Sequence, residues 1–286
     1  MSVYVEWRQH AVGHGGLHTG FAVADGHRLT WMYDCGSRSG VRFDDYLVGW
    51  LGTNREPIDW LFVSHFDKDH VSGLRTLMAN AIVRTVMLPY VDERELVLML
   101  LEEIARDNVD RELFGLAADP AGYFLARGAE RVIVVSPGGP DEPGVSESPG
   151  SAPPSEGGWT ERAKPPTEPL WGSVGEDRWR RGQPWHPVRR MVAGGSISVE
   201  RAGFAMRFVP YRAPVAALAH RSLLHELRRL VSPNIGRRRM RMGLGQLAYT
   251  VALHARTREG RADLKALYAA HAGSSNRASM SLSSTP

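Results

Sequence analysis

The chain holds a single cysteine, Cys35, among its 286 residues. An intramolecular disulfide is therefore excluded, and so is a zinc site built on several thiolates. Lysine is nearly as scarce. It occurs only at Lys68, Lys164 and Lys265, and arginine supplies the rest of the 35 basic side chains. No apolar run of about 18 residues or more occurs, so no membrane-crossing helix is expected. The start, Met1-Ser2-Val3-Tyr4-Val5-Glu6, has no basic segment followed by an apolar run, so no secretory leader is expected and the cytoplasm is the expected location. Charge is not lopsided either. A formal net charge of +4 and a pI near 9.4 are compatible with a polyanionic partner without demanding one. Hydrophobic content of 43% and charged content of 23% are those of an ordinary globular chain able to bury a core.

What is present reads as alternating strands and helices. Residues 3–7, 21–24, 30–33, 60–64, 82–88 and 132–135 have strand patterns; residues 43–51, 71–80 and 96–104 have helical ones, the last opened by a capping box at Asp92 and Glu95. Residues 10–20 are glycine-rich and read as a loop carrying His10, His14 and His18 at the site mouth. Residues 1–135 thus read as the N-terminal half of one α/β domain. Residues 136–170 hold half of the chain's 18 prolines with few large apolar side chains, and 136–190 reads as a disordered insertion or linker. Residues 191–286 continue the same domain: strands at 197–199 and 204–209, an amphipathic helix at 215–231, helices at 246–256 and 262–272, and a strand-like tail from 275.

Residues 65–70 read His-Phe-Asp-Lys-Asp-His, so four metal-capable side chains (His65, Asp67, Asp69, His70) follow directly on an apolar strand. In a loop of that length His65 and Asp67 can face one cation while Asp69 and His70 face a second. Equal numbers of imidazoles and carboxylates suit zinc or manganese, as one or two ions. Such a cation lowers the pKa of bound water, and the expected chemistry is attack of metal-bound hydroxide on an ester or phosphodiester.

The segment Ser64-His65-Phe66-Asp67-Lys68-Asp69-His70-Val71-Ser72-Gly73-Leu74 resembles the signature loop of the metallo-β-lactamase superfamily. Aspartate at the second histidine position of that loop resembles the branch of ComEC-type DNA-uptake hydrolases. Val12-Gly13-His14-Gly15 resembles that branch's glycine-rich turn, and Trp31-Met32-Tyr33-Asp34-Cys35-Gly36 resembles its strand ending in D-x-G. The resemblance spans roughly residues 1–100. It implies an αββα sandwich, with His65 and Asp67 on a first metal, Asp69 and His70 on a second, Asp69 also orienting the attacking water, and Asp34 bracing the loop without touching metal. It tilts the substrate towards phosphodiesters.

The same family completes its site with a T-G-D segment and late histidines, and neither a T-G-D nor a His-His pair occurs here. The other histidines, His186, His220, His225, His254 and His271, lie in loops or helical patterns. Asn276 to Leu282 resembles the N-x-x-S strand that precedes T-G-D in the branch, so a sandwich incomplete at the C-terminus is one expectation. The alternative function is accordingly a truncated or degenerate relative that acts through partner binding. The arginines at 237, 238, 239 and 241, after Arg228 and Arg229, lack interleaved aromatics and lend nucleic-acid binding little support. Cys35 reads as packed beside the loop rather than as a nucleophile.

Overall fold

The computed structural model describes residues 3–91, 97, 99–101, 104, 111–136, 160–164, 168–169, 187–192, 195–201, 204–212, 221–231, 247, 250–251, 253–271 and 280–285. The chain divides into two compact units, 1–90 with 124–214 and 279–286, and 91–123 with 215–278.

The first unit is built on strands whose side chains alternate between two faces, buried on both in the central strands and largely exposed in the edge strand β1. β1 (Val3–Gln9), β2 (Gly15–Ala24) and β3 (His27–Ser37) form an antiparallel meander. The β2–β3 turn is Asp25-Gly26, both with positive φ (49° and 75°), as a two-residue hairpin of right-handed twist requires. β4 (Ile58–Phe62), β5 (Val83–Pro89), β6 (Arg131–Ser136) and β9 (Val188–Val192) then add in parallel, and the short β8 (Glu168–Pro169) closes the edge antiparallel to β9. The sheet order is β1-β2-β3-β4-β5-β6-β9-β8.

Trp60, Leu61 and Phe62 are buried in succession, the pattern of a parallel strand covered on both faces. One face is covered by a second, antiparallel sheet of β7 (Thr160–Lys164), β10 (Ser196–Arg201), β11 (Phe204–Arg212) and β12 (Met280–Thr285). Between them Trp31, Trp60, Phe62, Met87 and Ile133 of the large sheet pack with Ile197, Val199, Met206 and Phe208 of the small one. On the other face lie α1 (Val41–Thr53), the single turn α2 (Lys68–Val71) and α3 (Leu74–Asn80). A Cβ added to Gly73 would meet Phe43, Leu47 and Cys35, which shows how closely these elements approach.

The second unit is helical, with α4 (Arg111–Ala118), most of α5 (Pro120–Leu125), α6 (Arg221–Val231) and α7 (Arg258–His271). Leu223, Leu224, Leu227 and Val231 form one stripe of α6 and join Val97, Leu101, Ile104, Leu247, Val251 and Leu264 in its core.

The expected α/β class is what is found. Three local expectations are corrected. Residues 10–20 are not all loop, because β2 begins at Gly15. Glycine is tolerated in this strand because neighbours fill the missing side-chain space: a Cβ on Gly20 would lie 2.3 Å from the Trp31 ring. Residues 71–80 are not one helix but the ends of α2 and α3, separated at Ser72-Gly73, where the Gly73 N–H is drawn to the Cys35 carbonyl at 2.9 Å. The stretch expected to be a disordered insertion, 136–190, contains β7, β8 and the start of β9; its residues 137–159, 165–167 and 170–186 lie outside the described residues. Met280–Thr285 is a strand, as its pattern suggested. The capping box at Asp92 and Glu95, residues 215–220 of the expected amphipathic helix and the arginine cluster at 237–241 also lie outside the described residues.

Candidate metal centre

β3 and β4 run parallel, so their C-terminal ends emerge side by side, and both carry the polar residues of the site. Three residues before the end of β3 the backbone of Asp34 enters the left-handed region, φ 57°, which Asp adopts more readily than most residues and which interrupts the pleat locally. The Asp34 carboxylate is 1% exposed and takes three hydrogen bonds from the 64–70 segment. Oδ1 accepts from the Ser64 backbone N–H at 2.7 Å; Oδ2 accepts from Ser64 Oγ at 2.7 Å and from His70 Nδ1 at 2.8 Å. A buried carboxylate with its lone pairs so occupied holds the loop that follows β4 against β3.

The same bonds set the chemistry of both imidazoles. Ser64 spends its one proton on Asp34, so at 2.8 Å its oxygen accepts from His65 Nδ1–H, and Asp34 likewise accepts from His70 Nδ1–H. Both Nε2 atoms are left facing the carboxylates of the hexad: His65 Nε2 lies 3.8 Å from Asp67 Oδ2, and His70 Nε2 lies 3.9 Å from Asp69 Oδ2. The two rings sit with centroids 3.9 Å apart. Burial, and secondarily the neighbouring His70, push the His65 pKa down to about 4, so this ring is neutral at pH 7. Burial also works against charge on His70, but the hydrogen bond it donates to Asp34, and the charges of Asp34, Asp69 and Asp67, outweigh it and raise its pKa.

Asp67 stands just before α2, and its carbonyl accepts the His70 N–H at 2.8 Å, so half of the hexad is a helical turn rather than the hairpin-like loop expected from spacing. That turn lies directly on β3. A Cβ on Gly36 would come within 2.5 Å of the His70 carbonyl carbon, and one on Gly16 within 2.8 Å of His70 Nδ1. Gly36 of the second flanking motif and Gly16, directly after the first, are thus the places where the α2 backbone and the His70 ring need room. Downstream, Ser72 Oγ donates to the Ser37 carbonyl at 3.0 Å and accepts the Ser37 N–H at 2.9 Å.

Two contributors lie outside the hexad: His14, which the sequence placed in a loop at the site mouth, and Arg38, which it did not single out. His14 Nε2 lies 3.0 Å from Asp69 Oδ2, and Arg38 Nε lies 3.8 Å from the same oxygen. The glycine-rich segment around His14 was the only sequence signal for the first, and nothing local marks the second. The remaining histidines diverge. His10 is buried, bonded to Tyr46 Oη at 2.6 Å and Thr19 Oγ1 at 2.8 Å, with burial lowering its pKa. His18 sits in β2, edge-on to Tyr33. His225 is exposed on α6, and His254 Nε2 lies 3.6 Å from Asp263. His271 is the last residue of α7, while His186 and His220 lie outside the described residues. The Cys35 thiol is fully buried and pushed up by that burial, then by Asp34 and Asp44, which keeps it protonated and unreactive.

No protein-family model matches the chain, and no curated protein does. The hexad's chemistry is a matter of its own atoms. In their neutral forms both imidazoles carry the lone pair on Nε2, one carboxylate faces each, and Nδ1 is held by a polar partner, which is how histidine ligands are normally prepared for a divalent cation. In donor type the residues fit such an ion. They offer donors in pairs: among the described residues no three His, Cys, Asp or Glu side chains are already gathered as a metal-holding group.

Proposed function

We propose that the chain is a metal-dependent hydrolase of the metallo-β-lactamase type, holding one or two divalent cations, zinc or manganese, at His65, Asp67, Asp69 and His70. The observation that carries this is the Asp34–Ser64 bracket, which fixes Nδ1 of both imidazoles and leaves both Nε2 atoms towards Asp67 and Asp69. Two sheets packed face to face, with α1 and α3 on the outer side of the larger, support a sandwich of the kind that superfamily uses. A cation bound there supplies Lewis acidity and lowers the pKa of water. The chain's own part is distinct. Asp69 is positioned to take a proton from the attacking water and to orient it. Asp34 and Ser64 are positioning residues that hold both rings. The substrate is an ester, a phosphodiester being favoured.

Metal analysis of the purified chain, paired with hydrolysis of a chromogenic phosphodiester, tests this. One or two equivalents of zinc or manganese are expected, with both metal content and turnover lost in His65→Ala. If the chain takes up no metal and hydrolyses nothing, the alternative of a non-catalytic relative acting through a partner takes its place.

A further inference from the structure

Arg38 and His14 come from different segments yet are fastened into one piece. The Arg38 backbone N–H donates to the His14 carbonyl at 2.9 Å, and Ser37 Oγ donates to the Val12 carbonyl at 2.7 Å while accepting the Ser39 N–H at 3.0 Å. From this clasp both side chains lean over the same carboxylate oxygen of Asp69. The carboxylate side is only 10% exposed, whereas the Arg38 and His14 side chains are 49% and 65% exposed. The two basic groups therefore form the outer lip of the site and Asp69 its floor. Arg38 meets Asp69 only through Nε at 3.8 Å, too long for a hydrogen bond, so its guanidinium fork is not committed to that carboxylate.

We infer that Arg38, assisted by His14, is the anion-holding element of this site and selects substrates carrying a phosphoryl or carboxylate oxygen beside the scissile bond. The inference rests on the hydrolase reading above in one respect: a cation taken by Asp69 removes the counter-charge of Arg38 and leaves the lip positive. A guanidinium held by its backbone at a site's edge presents paired N–H donors that match two oxygens of one anionic group, which an ammonium does not. The selected group would lie against the lip while the scissile bond reaches the hexad beneath.

The test uses the full chain, with and without zinc or manganese, and inorganic phosphate as the probe in isothermal titration. Metal uptake is measured separately, so failure of the hydrolase reading shows as absence of metal binding. Acetate in a parallel titration distinguishes a carboxylate preference from a phosphoryl one. Phosphate binding that weakens about tenfold or more in Arg38→Ala, is partly restored in Arg38→Lys and is unchanged in Arg55→Ala (an exposed arginine just past the C-terminal end of α1) supports the inference. Such a result in a chain that takes up no metal would keep the anion site and discard the hydrolase. Absence of binding by the wild-type chain, equal affinity in Arg38→Ala, or an equal loss in Arg55→Ala overturns it; circular dichroism of each variant shows that the fold is kept.

Discussion

His65 and His70 lie side by side yet are driven in opposite directions. Burial holds His65 neutral, with a pKa near 4, whereas the carboxylates around His70 raise its pKa above the ordinary 6.5 despite burial. The linkage signs differ accordingly. Between pH 6.5 and about 4 the unfolded chain takes up a proton at His65 that the folded chain refuses, so acidification through that window costs stability, with a ceiling of about 3 kcal/mol. His70 works the other way: its contribution is complete below pH 6.5 and is lost as pH rises through its raised folded value. In chelator-treated protein, histidine NMR titration is expected to show one ring titrating near pH 4 and another above 6.5. Urea unfolding of His65→Asn should lose the steep fall in stability between pH 6.5 and 4, and an unchanged slope would place its cause elsewhere.

At the scale of elements, α2 is only four residues long, far too short to persist alone. It exists because it is strapped to β3 at both ends: by Asp34 through Ser64 and His70 upstream, and by Ser72 and Gly73 to Ser37 and Cys35 downstream. The strap works only if β3 has no side chain at position 36. Gly36→Ala would push a methyl to within 2.6 Å of three backbone atoms of Asp69 and His70, so a loss of about 3 kcal/mol is expected, with weakened metal uptake. Gly49→Ala is the contrast. That glycine lies within α1 with nothing inside 4 Å of the added Cβ, so the same substitution should stabilise by up to about 1 kcal/mol. Thermal or denaturant unfolding of the two variants checks both signs, and equal effects would count against the strap.

In the first unit, the two sheets are joined by aromatic packing and by an enclosed ion pair. Phe208 of β11 sits within 5.0 to 6.1 Å of the Phe62, Trp31 and Trp60 rings, centroid to centroid. Nearby, Arg131 of β6 meets Glu161 of β7 through two parallel contacts, 3.0 and 2.6 Å, with the two side chains 17% and 12% exposed. Arg131 also donates to Thr85 Oγ1 at 3.0 Å. Breaking one partner of so enclosed a pair strands a charge. Glu161→Leu is expected to cost about 3 kcal/mol, and adding Arg131→Met should recover most of it. A double variant no more stable than the single one in denaturant unfolding would rule out the stranded charge as the cause.

The α/β class and the place of the candidate site were legible from local pattern. Buried strands announce themselves as short apolar runs, and the polar cluster directly after residues 60–64 follows from where parallel strands end. Asp34 and Gly36 were legible as a D-x-G segment, but β3 does not stop there as expected: it runs on to Ser37 and pairs with β2 through Gly36. What depended on tertiary structure was which side chains meet. The join of His14 and Arg38 over Asp69, the pairing of β7 with β10 in the second sheet, and the tautomers of His65 and His70 depend on sheet register and on backbone contacts between residues far apart in the chain. Spacing along a chain encodes the period of an element and the donors it carries; it does not encode the distance between two donors on different elements, which only packing sets.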